Sequence, residues 1–281
     1  MLTMNTTFLL IAIQNAAKQI FTGLAFALAL MFLPQNATAS ILVVDLGTAS
    51  TFAVLAGSGV TNAGATTITG DVGSSPTATT AGFGTVTLNG TNHGGDAVTV
   101  AAKNDLATAY NDAVSRTPTT IEGAIFDLGG LTLTSGVYND PSSFGLTGNL
   151  TLDAQGDPNA VWIFQAGSTL ITTANSMVTL VGGAQAANVF WQVGSSASLG
   201  ANTAFVGNML VFTSVTIATG SSVNGSVLAE NGAVALTASS ITIAAIPEPD
   251  SALLLGCGLA ILIVCRRLIL SPSSIPCRVK A

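Results

Sequence analysis

Cysteine, histidine and basic residues are nearly absent from the middle of this 281-residue chain. All three cysteines, Cys257, Cys265 and Cys277, fall in the last stretch, so Ser40 to Ile246 has neither disulfides nor thiol chemistry. Its stability must come from a packed core. His93 is the sole histidine, which excludes a His-based metal cluster and leaves a Ser-His-Asp triad possible only through that residue. Between Ser40 and Ile246 only Lys103 and Arg116 face eleven acidic residues, a net charge of 2 − 11 = −9. A nucleic-acid partner held by a basic patch is excluded.

The two ends read as targeting segments. An apolar run from Ile20 to Leu33 follows Lys18 and leads to Ala37-Thr38-Ala39, a small-x-small cleavage pattern. Residues 1–39 are expected to be a signal peptide, with a membrane-anchoring helix as the competing reading. At the other end, Pro247-Glu248-Pro249 precedes an apolar run from Ala252 to Val264 and then Arg266-Arg267. That run is short for a bilayer, but Leu268 to Leu270 and snorkelling arginines extend it. This three-part arrangement resembles the PEP-CTERM sorting signal of Gram-negative bacteria. The resemblance implies an exosortase-like protease and a membrane as partners of residues 246–281.

Between these ends, residues 40–245 form the expected folded domain, and 49% apolar composition for the whole chain excludes a disordered stalk. The segment from Asp96 to Arg116 is the one confident helix, with Asp96 as N-cap and Val98, Ala102, Leu106, Ala109, Tyr110 and Ala113 as its apolar stripe. Everything else reads as short strands rich in Val, Thr, Ile and Leu between Gly, Asn and Ser turns. A five-residue unit recurs at Ile68 to Val72, Leu146 to Leu150, Phe205 to Met209 and Val223 to Val227: apolar, any residue, Gly, a small polar residue, apolar. Four copies at unequal spacing predict an irregular solenoid with Gly at its corners. A β-sandwich with repeated turn chemistry is the alternative. Trp162, Phe164, Phe190 and Trp191 lie in wholly apolar runs and are expected in the core rather than on a sugar-stacking platform.

A second repeat carries hydroxyls. Ile171 to Met177 superposes on Ile217 to Val223, more loosely on Leu199 to Phe205, and on Leu236 to Ile241 with one residue fewer. Stacked coils would set these side chains about 4.7–4.9 Å apart on one outer face. β-branched Thr has little rotamer freedom to lose on binding. A flat, stiff, neutral array suits an extended repeating partner such as ice better than a small ligand, which needs a cavity. The plainer alternative is that the hydroxyls merely face solvent.

From Ile41 to Ile243 the chain resembles the bacterial and fungal ice-binding protein family. The resemblance rests on segments 46–62, 67–76, 126–138, 146–172 and 187–211, with Asp157 to Phe164 and Val189 to Gly194 as long motifs. It implies a right-handed irregular β-solenoid of three-sided cross-section with a long helix packed alongside. It also implies ice binding, giving thermal hysteresis or inhibition of ice recrystallisation. Residues matching the family's Thr-Ala/Gly-x-Thr/Asn units give the candidate site: Thr173, Asn175, Ser176, Thr203, Thr219, Ser221, Ser222, Thr237, Ser239 and Ser240. Here Ser replaces the final Thr or Asn, and the second repeat has Ala201 and Ala204 at its ends. No catalytic residue, metal or cofactor is expected, and the protein is expected to be a secreted or cell-surface monomer. Two competing functions are a glycan-cleaving β-solenoid enzyme, which would need a carboxylate pair or a base near its sugar, and a surface adhesin without effect on ice growth.

Overall fold

Short β-branched strands separated by tight corners wind into coils, and every strand pair formed is parallel, which a hairpin-built sandwich could not produce. The structure is a computed structural model that describes residues 41–121 and 126–245. The expected signal peptide and sorting tail lie outside the described residues. Among the described residues, three sheets of nine, eight and eight strands form the sides of a three-sided prism. They are called A, B and C, in the order in which each coil visits them. One coil runs from Trp162–Ala166 in A through Leu170–Thr172 in B to Met177–Val181 in C.

Coil length explains the irregularity. In sheet A, Gly136 pairs with Trp162 and Trp162 with Val189, steps of 26 and 27 residues. Phe190 then pairs with Asn208 and Met209 with Val227, both steps of 18. The surplus of the longer coils lies in the loops that lead from C back to A. Flat, regular sides therefore belong to the 18-residue coils.

The stacking order differs from the chain order. Val54 and Leu55 pair with Val227 and Leu228, and Ser240 pairs with Thr67, so the N-terminal coils sit on the C-terminal one. After two such coils the chain must return to the far end of the stack. The helix Ala97–Ser115 makes this return. Nineteen residues span about 28 Å at 1.5 Å each. The nine strands of sheet A span about 38 Å, and the extended residues after the helix cover the difference.

The helix lies on the outer side of sheet A. Its buried residues are Thr99, Ala102, Leu106, Ala109 and Ala113, a 3-4-3-4 spacing that keeps one narrow stripe inward. Val98, expected in that stripe, is exposed, and Thr99 takes the buried place. Thr99 fits there because it faces Gly73, where a Cβ would lie 2.6 Å from the Thr99 hydroxyl. Polar latches hold both ends. Asp96 accepts from Thr99 N at 2.9 Å, and Asp105 accepts from Thr48 N at 2.8 Å and Thr48 Oγ1 at 2.6 Å. Gln165 Nε2 donates to Ala113 O at 2.7 Å and Arg116 O at 2.8 Å, satisfying helix C-terminal carbonyls. His93 stands in the short strand Asn92–Gly94 at the end of sheet A, 3.0 Å from Asp96 and 3.6 Å from Asp71.

The prism interior is filled by residues alternating along each strand. In sheet A, Tyr138, Phe164 and Trp191 are in register, with Phe164 and Trp191 stacked at 4.0 Å and Tyr138 and Phe164 at 5.4 Å. Trp191 Nε1 donates to Val206 O at 2.9 Å, so its one polar atom is satisfied. Trp162, Phe164, Phe190 and Trp191 are all buried, as their apolar runs imply. Phe190, offset by one residue from Trp191, points to the opposite side of the sheet. Three of the four five-residue units turn the C–A corner, at Gly70, Gly207 and Gly225. The unit at Gly148 turns from B to C. Gly225, at φ 148°, is held by close approach, since a Cβ would lie 2.1 Å from Gly207 O.

Two outcomes follow. Trp191→Ala should cost about 3–5 kcal/mol in urea-induced unfolding, because a stacked, fully buried ring cannot be replaced by collapse. Asp96 is held below its ordinary value of 3.8, first by the Thr99 amide and then by His93, and Asp105 likewise by the Thr48 hydroxyl and amide. A depressed carboxylate lends stability that is complete above its ordinary pKa and is lost as pH falls through its folded-state value. The melting temperature should therefore fall as pH is taken from about 5 to about 2, and the Asp96→Asn, Asp105→Asn double variant should show a shallower fall.

Candidate functional site

Residues of sheet B alternate strictly between core and surface. Val60, Val234, Val215, Ala197, Leu170 and Phe144 point inward, and the residue after each points out. The outward row is Thr61, Ala235, Thr216, Ser198, Ile171 and Gly145, paired in register across six neighbouring strands. Neighbours in this row are about 4.8 Å apart, and the next outward row along the strands is about 7 Å away. Thr61, Thr216 and Ser198 are exposed, and their hydroxyls form no hydrogen bond within the described residues. The row carries no charge until Asp127 on the end strand. The Asp127 carboxylate accepts from Gly129 N and Thr147 N, both at 2.9 Å, bonds that hold it in place and favour its charged form.

The ten residues expected on one outer face are divided among four places. Thr173 and Thr237 stand on sheet B, in the second outward row, one residue past Thr172 and Leu236. Asn175 and Thr219 are exposed at the corner between B and C. Ser222 and Ser240 pair with each other on sheet C. The remaining four, Ser176, Thr203, Ser221 and Ser239, are turned inward and buried, which corrects their placement on the surface.

Those four follow a residue whose backbone is left-handed: Asn175 at φ 62°, Asn202 at 56°, Gly220 at 74° and Ala238 at 39°. That conformation swings the next side chain into the corner. There, the hydroxyls satisfy backbone groups of the adjoining coils. Ser176 Oγ donates to Leu146 O at 2.8 Å, Thr203 Oγ1 to Gly200 O at 2.7 Å and Ser221 Oγ to Gly200 O at 2.8 Å. Thr203 N donates in turn to Ser221 Oγ at 3.2 Å. Ser239 N donates to Thr66 Oγ1, although the Ser239 hydroxyl itself has no partner. The inward hydroxyl after each left-handed residue is thus a structural corner group.

The error in the repeat is one of register. Ile171 pairs with Ser198, and Ser198 with Thr216, whereas the sequence superposition places Ile171 over Leu199 and Ile217. A slip of one residue exchanges core for surface throughout a strand. Thr216 and Ser198, the centre of the outward row, were missed for this reason. The alternation Val215-Thr216-Ile217 and Ala197-Ser198-Leu199 contained the signal, had alignment started from the inward apolar residues.

Sheet C is the other solvent-facing side. Its outward row of Thr87, Thr67, Ser240, Ser222, Ala204 and Met177 begins with hydroxyls but ends in a protruding thioether. Beyond it Thr179 Oγ1 donates to Asn149 Oδ1 at 2.8 Å, so those polar groups are engaged with each other. Sheet B is the more uniform surface.

Charge is concentrated beneath the helix instead. Lys103 Nζ donates to Ala229 O at 2.8 Å and to Glu230 O. Burial pushes the Lys103 ammonium below its ordinary pKa, and the Glu230 carboxylate partly opposes this. Burial raises Glu230 likewise, with Lys103 opposing. Among the described residues no group of three or more His, Cys, Asp or Glu side chains is placed to hold a metal ion.

A prism of parallel sheets, braced on one side by a helix and offering two sparsely charged strand faces to solvent, is a β-solenoid. Residues 54–242 match the family model described as Ice-binding-like, and the chain belongs to that family. It is 48% identical over 229 residues to an ice-binding protein of Nostoc sp. (strain HG1), covering 78% of this chain and 84% of that protein. It is also similar to the crystal structure of an ice binding protein from an Antarctic Biological Consortium: 44% identity, TM-score 0.72, covering 76% of this chain and 96% of that one. A third likeness is to an ice-binding protein from the ascomycete Antarctomyces psychrotrophicus, at 41% identity and TM-score 0.70, covering 72% and 98%.

Ser221→Ala should lower stability by about 1–2 kcal/mol, because Thr203 N loses its acceptor in a buried corner. Chemical denaturation measures this. Any effect of the protein on its target should persist, since the side chain is only 1% exposed.

Proposed function

We propose that this protein binds ice crystals through the outward side of sheet B and thereby slows or shapes their growth. The reading rests on the six-strand row from Thr61 to Gly145, in which uncharged residues repeat in register and the hydroxyls of Thr61, Thr216 and Ser198 are free for solvent. A solid lattice of water offers a partner that is itself repeating and uncharged. Rigid strands and β-branched Thr leave little entropy to lose on adsorption. Membership of the family and the names of its relatives support the same target.

On this reading the protein acts without catalysis. Thr173 and Thr237 flank the central row, Asn175 and Thr219 border it, and Ser222 and Ser240 lie round the corner. The protein is secreted or displayed at the cell surface: residues 1–39 direct export, and residues 246–281 hold the chain to a membrane until an exosortase-like protease acts.

Thr216→Tyr places a large ring in the middle of the row. It should abolish the faceting of ice crystals seen by microscopy in the purified protein, with thermal unfolding nearly unchanged. Val114→Tyr, on the exposed side of the helix, should retain faceting. Round crystals with the parent protein would refute ice shaping, and equal loss in both variants would refute the choice of sheet B.

A further inference from the structure

The chain leaves the solenoid at one particular edge. Ile243 N donates to Thr69 O at 3.1 Å, just as Gly225 N donates to Thr242 O at 2.7 Å and Gly207 N to Asn224 O at 2.9 Å. Gly207 and Gly225 mark where earlier coils turn from sheet C into sheet A. A further coil would continue from Ile243 into sheet A at that level, but Phe52–Ala56 already fills the place, paired to Val227 and Leu228. Ala53 and Ile243 both crowd Gly70, whose Cβ would lie 2.9 and 2.7 Å from them. The chain is therefore turned outward at the C–A edge. In a three-sided prism this edge alone does not border sheet B. The N-terminal entry also avoids sheet B: Gly47–Thr51 packs against the helix outside sheet A, through Thr48 and Asp105.

Resting on the reading that sheet B binds ice and that the tail enters a bilayer, we propose that the solenoid stands on a lipid membrane by its C–A edge and presents sheet B to the medium. The length of the connection favours this. Ala252, where the apolar run starts, is 252 − 243 = 9 residues from Ile243. Nine residues reach about 30 Å when fully extended and about 16 Å as a flexible coil. One side of an 18-residue coil takes 18/3 = 6 residues, about 20 Å. To bring sheet B against the bilayer, the connection must pass round a whole side of the prism, more than its mean reach. Pro247 and Pro249 restrict it further. The edge contact leaves sheet B parallel to the membrane and farthest from it, the arrangement in which a flat crystal surface can meet it without lipid between.

The orientation is measurable without ice. In the full chain with Cys257, Cys265 and Cys277 replaced by Ser, one dye is attached through Thr216→Cys on sheet B or Asn224→Cys beside the C–A edge. Each protein is reconstituted into phosphatidylcholine vesicles carrying a headgroup spin label. Quenching should be several-fold stronger at Asn224→Cys than at Thr216→Cys. Equal or reversed quenching, or failure of the chain to join the vesicles, overturns the proposal. Round ice crystals with the unlabelled parent protein, the quenching asymmetry intact, would overturn only the assignment of ice as target.

Discussion

Hydrogen bonding between coils, strand against parallel strand, is the constraint on which the other features depend. Each backbone N–H and C=O in a sheet is satisfied by the coil above or below, so every coil must repeat its neighbour's path at a spacing of about 4.8 Å. From this follow the register of the inward apolar residues, the stacking of Phe164 on Trp191, and the regular outward rows of sheets B and C. A surface spaced like a lattice is thus a by-product of the way the core is built. Where coils lengthen to 26 or 27 residues, the surplus is kept in loops between C and A and leaves the sheet B row undisturbed.

Corners are the places where that constraint is hardest to meet, because strand bonding lapses there. The chain uses left-handed Asn, Gly and Ala positions to turn, followed by a hydroxyl that is folded inward to bond carbonyls across coils. Ser and Thr therefore have two unrelated roles in adjacent positions. Those at the corner serve the fold, and those on the strands face water. A hydroxyl-rich composition mixes the two.

Placing the N-terminal coils on the C-terminal one solves a further problem. The final coil has a partner on both sides, and the place in sheet A into which it would continue is already filled by Phe52–Ala56. The helix that this arrangement requires covers the outer side of sheet A and brings with it the half-buried Lys103, the capping Asp96 and the Asp105 that holds Thr48. Sheet A is thereby removed from contact with solvent over much of its breadth, and sheets B and C remain as the available flat sides.

Much of this was legible in the residues. Val-Thr-Ile alternation, glycine at the five-residue units, the Asp96 cap and the apolar runs around Trp162 and Trp191 depend on local chemistry, which a sequence carries directly. By itself the sequence determined an acidic, cysteine-free β-solenoid with one helix and hydroxyl-rich strands. It did not determine which hydroxyls face outward, because Thr173 and Thr219 look equivalent in a linear repeat and differ by one residue in register. Nor could it reveal that residue 67 lies beside residue 240. Only the tertiary structure decided these, since coil-to-coil pairing, rather than proximity along the chain, fixes the side of the prism to which each side chain points.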